Sequence, residues 1–255
     1  MMRVASWNIN SLRKRQERLF AWLEANEPDI VCLQETKCPD EQFPVLALQA
    51  AGYHSVYHGE KSYNGVAILS KNESRNMRPS LCDDVVDPQA RVVAATIDTV
   101  RVFSVYAPNG QAVGSPAYDY KLKWYARLRD CLLNEEWTQL IVCGDFNVAP
   151  EDVDVHDPDL WRGAIMCSDG ERTAFRQLCD GSFRDTLRLH HKEGGLFSWW
   201  DYRMLSFPKN RGLRIDAILA SEALAKRCTT AGIDREMRKG KEPSDHAPVW
   251  AEFDL

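Results

Sequence analysis

Residues 140–147 read LIVCGDFN, and the fold class can be inferred from them. Its continuous apolar run predicts a strand that is buried on both faces of a sheet. Asp145 and Asn147 follow where the strand ends, and because residues two apart in extended chain share a face, both side chains would point the same way. Open α/β sheets bind ligands in the crevice beyond their strand ends. The stretch therefore predicts an α/β protein with a polar site at this position.

Strand and helix patterns alternate along the rest of the chain. Apolar patterns predict strands at 3–9, 29–35, 64–70, 92–98, 101–107, 139–146, 197–203, 213–221 and 248–255. Helical periodicity predicts helices at 12–26, 121–135 and 171–180. Because the strands fall into two batches around the helix at 121–135, we expect two mixed β-sheets packed face to face, with helices outside. No linker or repeat divides the sequence, which predicts one domain over residues 1–255.

The composition is that of an ordinary globular enzyme, with 44% hydrophobic and 27% charged residues. No apolar run approaches the roughly 18 residues of a membrane span. The charged start, MMRVASWNINSLRKR, lacks the apolar region of a signal peptide, so we expect a cytoplasmic protein without membrane contact. The eight cysteines form no CxxC pair and several lie in apolar runs, which predicts structural free thiols in a reducing compartment.

The charge is unevenly distributed along the chain. A net charge of −5 argues against a nucleic-acid ligand, since phosphate-binding proteins are usually basic. However, residues 145–171 carry eight acidic side chains and one Arg, whereas residues 202–242 carry ten Lys or Arg and five acids. Such a molecule can present one basic face to a polyanion, although scattered solvated charge is the alternative interpretation.

Polar residues follow the apolar strands at several points. A single polar residue at a strand end is usually a turn former. Here the pattern recurs at Asn8, Glu35, Tyr106, Asp145 and Asp216. In addition, Asp245 and His246 lie between Pro243 and Pro248, where irregular backbone lets both face one site. We therefore expect these side chains to converge in one crevice.

The residue types in this set suit a divalent cation. Mg²⁺ usually takes one or two protein carboxylates and fills its remaining positions with water and substrate phosphate oxygens. Glu35 is the main candidate ligand, with Asn8 and Asp245 in support. The sequence has no GxSxG, Walker A, GxGxxG or HExxH motif that would indicate other chemistry.

The remaining members of the set suit proton transfer and phosphate binding. Asp145 and Asn147 can hold and orient a water molecule. His246 can offer a cationic donor to a phosphoryl oxygen, and Asp216 can fix and charge its imidazole ring. Metal and donors together would offset the charge that gathers on oxygen when a phosphodiester is attacked. The set predicts phosphoryl hydrolysis without a covalent intermediate.

Eight motifs carry a resemblance to a known family. They are WNINSLR (7–13), LQETK (33–37), NGVAILS (64–70), YAPNG (106–110), GDFN (144–147), FSWWDYR (197–203), GLRID (212–216) and SDHAPV (244–249). In order and over nearly the whole chain, they resemble the exonuclease III family of abasic-site endonucleases. GDFN and SDH also occur in related nucleases and inositol phosphatases, whereas LQETK, WWDYR and GLRID point to the DNA-repair branch.

The resemblance implies a four-layered α/β sandwich and a DNA-repair phosphodiesterase that uses Mg²⁺ or Mn²⁺ and leaves a 3′-hydroxyl. Its substrate would be double-stranded DNA with abasic sites or 3′ ends. The implied catalytic residues are Tyr106, Asp145, Asn147, Asp216 and His246, and the implied metal residues are Glu35, Asn8 and Asp245. The implied DNA-binding residues are Tyr63, Asn109, Trp199, Trp200, Arg203, Leu213 and Ile215. Because alternation places adjacent residues on opposite faces, one tryptophan of the pair is as readily a core residue.

Two positions depart from the family pattern. Asn10 stands where some relatives carry Asp, which puts a second metal ligand there in doubt. Met166 precedes Cys167 where relatives often have a small residue followed by Phe. Its bulk could exclude an extruded abasic nucleotide from a pocket while still admitting a frayed 3′ end. We therefore expect 3′-end processing, with abasic-site incision weakened, and a neutral packing change is the alternative.

Two rival functions remain open from the sequence. One is a phosphomonoesterase of small or lipid substrates on the same fold, against which the WWDYR and GLRID segments and the basic stretch 202–242 argue. The other is a catalytically idle DNA-binding protein, against which the retained acidic and imidazole residues argue. Nothing in the sequence indicates an oligomer interface, so we expect a monomer.

Overall fold

Two six-stranded sheets lie at the centre of the computed structural model, which describes residues 1–180 and 182–255. The first sheet contains β1 (Met2–Asn8), β2 (Ile30–Gln34), β3 (His54–His58), β4 (Val66–Ser70), β11 (Cys228–Ile233) and β12 (Val249–Phe253). The second contains β5 (Ser74–Arg78), β6 (Val92–Ile97), β7 (Val100–Tyr106), β8 (Leu140–Asp145), β9 (Phe183–Asp185) and β10 (Asp216–Ser221). Their strand orders are β11-β12-β1-β2-β4-β3 and β5-β6-β7-β8-β10-β9.

Both sheets are mixed. In each one a single parallel pair lies near the middle, β1 with β2 and β7 with β8, and the other described pairs are antiparallel. Apolar residues of both sheets meet in one cluster, which includes Val4 and Cys32 from the first sheet and Val102 and Ile141 from the second. The sheets therefore pack face to face, as predicted, and bury the strands that the sequence shows as continuous apolar runs.

Helices cover the outer face of each sheet. The described helices are α1 (Leu12–Asn26), α2 (Val45–Ala50), α3 (Pro116–Leu133), α4 (Pro158–Trp161), α5 (Asp169–Cys179), α6 (Thr186–His190) and α7 (Glu222–Ala225), of which the short α6 and α7 pack instead against the cluster between the sheets. Leu19 and Trp22 of α1 pack on the first sheet, and Trp124 of α3 and Phe175 of α5 pack on the second. The order helix, sheet, sheet, helix is the predicted four-layered α/β sandwich, which is confirmed. In the described part of the chain, no helix combines the length and apolar character needed to cross a bilayer.

The strand predicted at 197–203 is wrong. Within this fully described segment, Trp199 forms only isolated bridges to Leu213 and His246, and turns follow from Tyr202. The segment lies between the backbone at Leu213 and the backbone at 245–246. The main-chain N–H of Trp200 donates to the carbonyl of Asp245. Four strands were not predicted: β3, β5, β9 and β11. They lie at sheet edges or are partly exposed, so their sequences lack a continuous apolar run.

The prediction that all cysteines are free thiols is also wrong. A disulfide joins Cys82, in the loop after β5, to Cys131 on α3, across a sequence separation of 49 residues. Cys131 lies on the buried side of α3, and the loop that contains Cys82 packs against this side. No local sequence spacing indicates this pairing. The other cysteines of the described chain are free.

Gly144 is required by the close approach of β7 and β8. A Cβ atom at this position would lie 2.1 Å from the carbonyl oxygen of Val105, its partner on the parallel strand. We expect Gly144→Ala to lower the free energy of unfolding by about 1–3 kcal/mol, because the added methyl forces the strands apart. Urea denaturation would measure this. Gly194→Ala is the control, since its Cβ would meet Val153 at an ordinary 3.4 Å; equal stability of both variants would contradict the prediction.

Candidate active site

The second sheet places three of the predicted polar residues side by side. Tyr106 ends β7, and its register partner is Asp145 at the end of β8. Asp145 is in turn paired with Asp216, the first residue of β10. The sequence suggested that Asp216 ends a strand, but β10 runs antiparallel to β8 and therefore begins there. Alternation along a strand does not reveal the direction in which the strand runs.

The first sheet contributes Asn8 at the end of β1 and Glu35 directly after β2. The Asn8 side chain is fully buried between the two sheets. Its Nδ2 donates to Glu35 Oε1 at 2.8 Å and to Asp145 Oδ2 at 2.9 Å. One amide thus joins the polar ends of both sheets, and the residues predicted to converge do converge.

His246 lies within the same group. Its ring Nδ1 is 2.9 Å from Asp216 Oδ2, and its Nε2 is 3.7 Å from Asp145 Oδ2. Burial would lower the pKa of His246, but the negative charges of Asp216 and Asp145 outweigh it and raise the pKa to about 10. At neutral pH the imidazole is therefore a cation that donates from Nδ1 to Asp216 and offers its other N–H to the site.

The surroundings of Asp145 strongly shift the pKa of its carboxyl group. Burial and the neighbouring Asp216 raise the pKa of Asp145 to about 7, although His246 and the Asn8 amide oppose the change. The main-chain N–H of Asn147 donates to Asp145 Oδ1 at 2.9 Å and fixes the group. A carboxylate with a pKa near 7 can accept a proton from water at neutral pH.

Two carboxylates of the site fit a divalent cation. Ligand atoms of Glu35, Asp145 and His246 all lie within 4.8 Å of one another. The cationic His246 has no lone pair to offer, which leaves the oxygens of Glu35 and Asp145, and oxygen ligands suit Mg²⁺ or Mn²⁺. Asn8 was predicted in the shell of Glu35; its nitrogen donates to Glu35 Oε1 and its oxygen accepts the main-chain N–H of Asn10 at 3.0 Å, and its role toward a metal stays a prediction.

Asp245 lies beside this pair of carboxylates and has partners of its own. Its Oδ1 accepts from Asn10 Nδ2 at 2.8 Å, and its Oδ2 accepts from Trp199 Nε1 at 3.0 Å. Burial would raise the pKa of Asp245, but His246 and these donors lower it overall. Lys37 connects Asn10 to Glu35, since its Nζ is 2.7 Å from Asn10 Oδ1 and 2.8 Å from Glu35 Oε2. A ligand role for Asp245 stays a prediction.

The predicted pocket for an extruded sugar is closed in this structure. Trp199 is half-buried and packs in one apolar cluster with Met166, Leu213 and Ile215. Leu213 and Ile215 have almost no exposed surface, so DNA cannot reach them in this arrangement. Trp200 as a DNA-binding residue is wrong: its side chain is 0% exposed and packs in a separate cluster with Phe197 and Ala247. Neighbouring positions in extended backbone point to opposite faces, which explains why only one tryptophan reaches the site.

The remaining predicted DNA-binding residues lie at the surface. Tyr63 is 72% exposed. Arg203 is exposed and paired with Asp201, with 2.6 Å between Arg203 Nη2 and the carboxylate. Asn109 is exposed as well, and its Nδ2 donates to Asn147 Oδ1 at 3.2 Å. Exposure makes DNA contact possible for all three, and that contact stays a prediction.

Three arginines that hold the histidine loop were missed in the sequence. Arg15 of α1 donates to the carbonyl oxygens of Glu242 and Pro243 at 3.1 and 3.2 Å. Arg18 and Arg238 bind other carbonyl groups of the stretch 237–244. Together they fix the backbone that leads to His246. A sequence signal existed for Arg15, which lies on the apolar side of the amphipathic helix α1. In the structure, its backbone departs from helical geometry.

A two-sheet sandwich with this group of carboxylates, amides and a charged imidazole defines a hydrolase of phosphate esters. The description "Endonuclease/Exonuclease/phosphatase family" belongs to a family model that matches residues 5–246. The chain belongs to this family. The resemblance noted in the sequence is thereby confirmed.

Individual relatives match over the whole chain. Exodeoxyribonuclease III from Haemophilus influenzae is 38% identical over 99% of this chain and 100% of its own length. A structure of the 3′ phosphatase NExo from Neisseria, bound to a product DNA hairpin, is 44% identical with a TM-score of 0.98, and 100% of each chain is covered. An AP endonuclease from Archaeoglobus fulgidus is 37% identical with a TM-score of 0.96, again over 100% of both chains.

The charge on His246 is testable without any substrate. A histidine with a raised pKa stays cationic below that pKa and loses its proton as the pH rises through it, here at about 10. We expect Asp216→Asn to move this midpoint down by about one to three pH units, since the neutral amide no longer favours the cation. NMR titration of the imidazole would measure the change. Asp201→Asn is the control, and an unchanged midpoint in Asp216→Asn would contradict the assigned cause.

Proposed function

We propose that this chain is a Mg²⁺-dependent DNA-repair phosphodiesterase of the exodeoxyribonuclease III type, working as one domain and as a monomer. Its main work would be 3′-to-5′ exonuclease and 3′-end cleaning on duplex DNA. The observation that carries this proposal is the position of the buried Asp145, whose carboxylate lies within 4.8 Å of ligand atoms of both the metal-ligand candidate Glu35 and the cationic His246. The similar exodeoxyribonuclease III and the similar 3′ phosphatase bound to DNA support DNA as the substrate.

The residues of the site divide the work of hydrolysis among them. Glu35 and an oxygen of Asp145 would hold the cation, which when bound polarises a phosphoryl oxygen. Asp145 would orient the attacking water and take its proton, while the main-chain N–H of Asn147 keeps the carboxylate in place. His246 would donate from Nε2 to the phosphoryl oxygen that gathers charge, and Asp216 would hold its ring in that orientation.

Tyr106 completes the phosphate-binding set. Burial, Glu35 and Asp145 raise the pKa of Tyr106 well above its usual value, so the hydroxyl keeps its proton. A neutral hydroxyl beside two carboxylates can donate to a phosphate oxygen but does not act as a nucleophile at neutral pH. This supports direct attack by water, without a covalent intermediate.

The apolar cluster around Met166 bears on substrate choice. Met166 is 8% exposed and packs with Trp199, Leu213 and Ile215, where an extruded abasic sugar would have to enter. Its φ of 69° lies in the left-handed region, which favours glycine. We infer that the side chain closes the pocket to an abasic nucleotide within a duplex. The similar 3′ phosphatase from Neisseria supports work at 3′ ends.

The two rival functions make different predictions. A phosphomonoesterase of small or lipid substrates is disfavoured by the relatives, because the Neisseria 3′ phosphatase, 44% identical to this chain, is bound to a product DNA hairpin. An idle DNA-binding protein would have no reason to keep the pKa of a buried carboxylate near neutrality. Both observations favour the nuclease.

Degradation of a labelled duplex tests the proposed activity. We expect cleavage from the 3′ end with Mg²⁺, none with EDTA, and a loss of at least about 100-fold in Asp145→Ala, because the group that takes the proton is gone. Asp152→Ala is the matched control: it is an exposed acid of the same stretch, paired only with Arg172. Cleavage that survives EDTA or Asp145→Ala would overturn the proposal, and Mg²⁺-dependent release of phosphate from small esters alone would favour the phosphomonoesterase.

The role of Met166 is tested by the ratio of two rates. We expect Met166→Gly to raise incision of a tetrahydrofuran-containing duplex at least about tenfold relative to the exonuclease rate, since it opens the pocket and removes backbone strain. Met166→Leu keeps the bulk and is the control. If the ratio stays the same in Met166→Gly, the side chain is a neutral packing change.

A further inference from the structure

A fully buried ion pair lies behind the candidate site. Lys121 of α3 and Glu171 of α5 both have 0% side-chain exposure, and Lys121 Nζ is bonded to Glu171 Oε1. Taking two charges out of water is costly, and a buried ion pair is often no more stabilising than apolar side chains of the same size. Stability alone is therefore a weak explanation for this pair. Its other contacts show what it holds in place.

Lys121 binds two loops of the site through their backbones. Its Nζ donates to the carbonyl oxygen of Asn147 at 2.7 Å and to that of Asn109 at 3.1 Å. These are the two residues whose side chains are bonded to each other, and Asn147 also donates its main-chain N–H to Asp145. The ammonium group thus fixes the turn that orients the carboxylate proposed to take the proton from water.

Glu171 binds the loop that carries Met166. Its Oε1 accepts the main-chain N–H of Met166 at 3.0 Å, and its Oε2 accepts the N–H and hydroxyl of Ser168 at 3.1 and 2.6 Å. The carbonyl of Met166 in turn accepts the N–H of Ala149 at 2.8 Å. One ion pair therefore connects the catalytic turn at 147–149 with the loop that closes the sugar pocket.

Left-handed backbone lies at both ends of this connection. Asn147 has a φ of 50°, which asparagine tolerates, and Met166 has a φ of 69°, which a side chain of this kind rarely adopts. The strain at Met166 persists only where the surroundings determine the conformation strongly. Lys121 holds Asn147 by its carbonyl, and Glu171 holds the strained Met166 by its N–H.

We propose that Lys121 and Glu171 are positioning residues that set the catalytic turn and the Met166 loop as one unit. They do not touch the substrate. They act through Asn147 on Asp145 and through the loop on substrate choice, so that rate and specificity change together when the pair is lost. This proposal rests on the proposed function for its kinetic consequences, but not for its structural ones.

The test uses the charge-neutral double variant Lys121→Met/Glu171→Gln, with Glu171→Gln alone as a second variant that keeps the hydrogen-bonding shape should the double variant fold poorly. Glu135→Gln is the matched control. Glu135 forms the buried pair with Arg101, just beyond the far end of α3, and its hydrogen bonds in the described chain do not involve the loops of the site. The melting temperature would be measured for every variant, and kinetics run well below it.

On a duplex with a 3′ end, we expect the double variant to lose about 10- to 100-fold in kcat with KM within about threefold, since small misplacements of catalytic groups have effects of this size. The ratio of tetrahydrofuran-site incision to exonuclease should rise several-fold as the Met166 loop loosens. Glu135→Gln should lower the melting temperature and leave kcat and the ratio as they are. Unchanged kcat and ratio in both Lys121/Glu171 variants would overturn the proposal.

Amide hydrogen exchange separates this proposal from the proposed function. In the double variant, the amides of Ala149 and Met166 should exchange faster together, while those of β8 keep their protection. If the wild-type chain cleaved no DNA, the proposed function would fail, and exchange would still decide whether the ion pair couples the two loops. Faster exchange at only one of the two amides, or at neither, would overturn the coupling.

Discussion

The amide of Asn8 is the interaction on which the site depends. It donates to Glu35 from the first sheet and to Asp145 from the second, at 2.8 and 2.9 Å. Burial and the neighbouring Asp216 favour protonation of Asp145, and the Asn8 amide opposes this by donating to the charged form. As a neutral donor, it does so without adding a positive charge that would compete with a bound cation. The relative position of the two sheets therefore determines how close Glu35 and Asp145 lie to each other.

The site as a whole carries more negative than positive charge. Two cations, His246 and Lys37, face four carboxylates, which are Glu35, Asp145, Asp216 and Asp245. A polyanionic substrate would be repelled by this excess, and the proposed divalent cation would both bind the phosphate and offset the charge formed during attack. The same excess keeps His246 protonated far above neutrality, which gives the site a fixed donor in addition to the metal.

The sequence predicted the polar strand ends because burial and alternation are local properties. Tyr106, Asp145 and Asp216 could be placed at strand ends, although not in register, since pairing joins distant parts of the chain. The burial of Lys121 and Arg15 was not predicted, because it depends on partners from distant parts of the chain that a helical pattern does not reveal. The direction of a donor, such as the nitrogen of Asn8, depends on partners from both sheets and has no local signal.

Left-handed backbone explains why function and local preference disagree at position 166. Glycine would adopt the φ of 69° at no steric cost, and a residue with a Cβ adopts it only against strain. With Met at this position, packing of the side chain offsets the conformational strain of the backbone. The gain visible in the structure is the closed apolar cluster with Trp199 and Leu213. A residue that costs stability locally beside a site is the pattern expected where function rather than stability determines the sequence, which agrees with the role proposed for Met166.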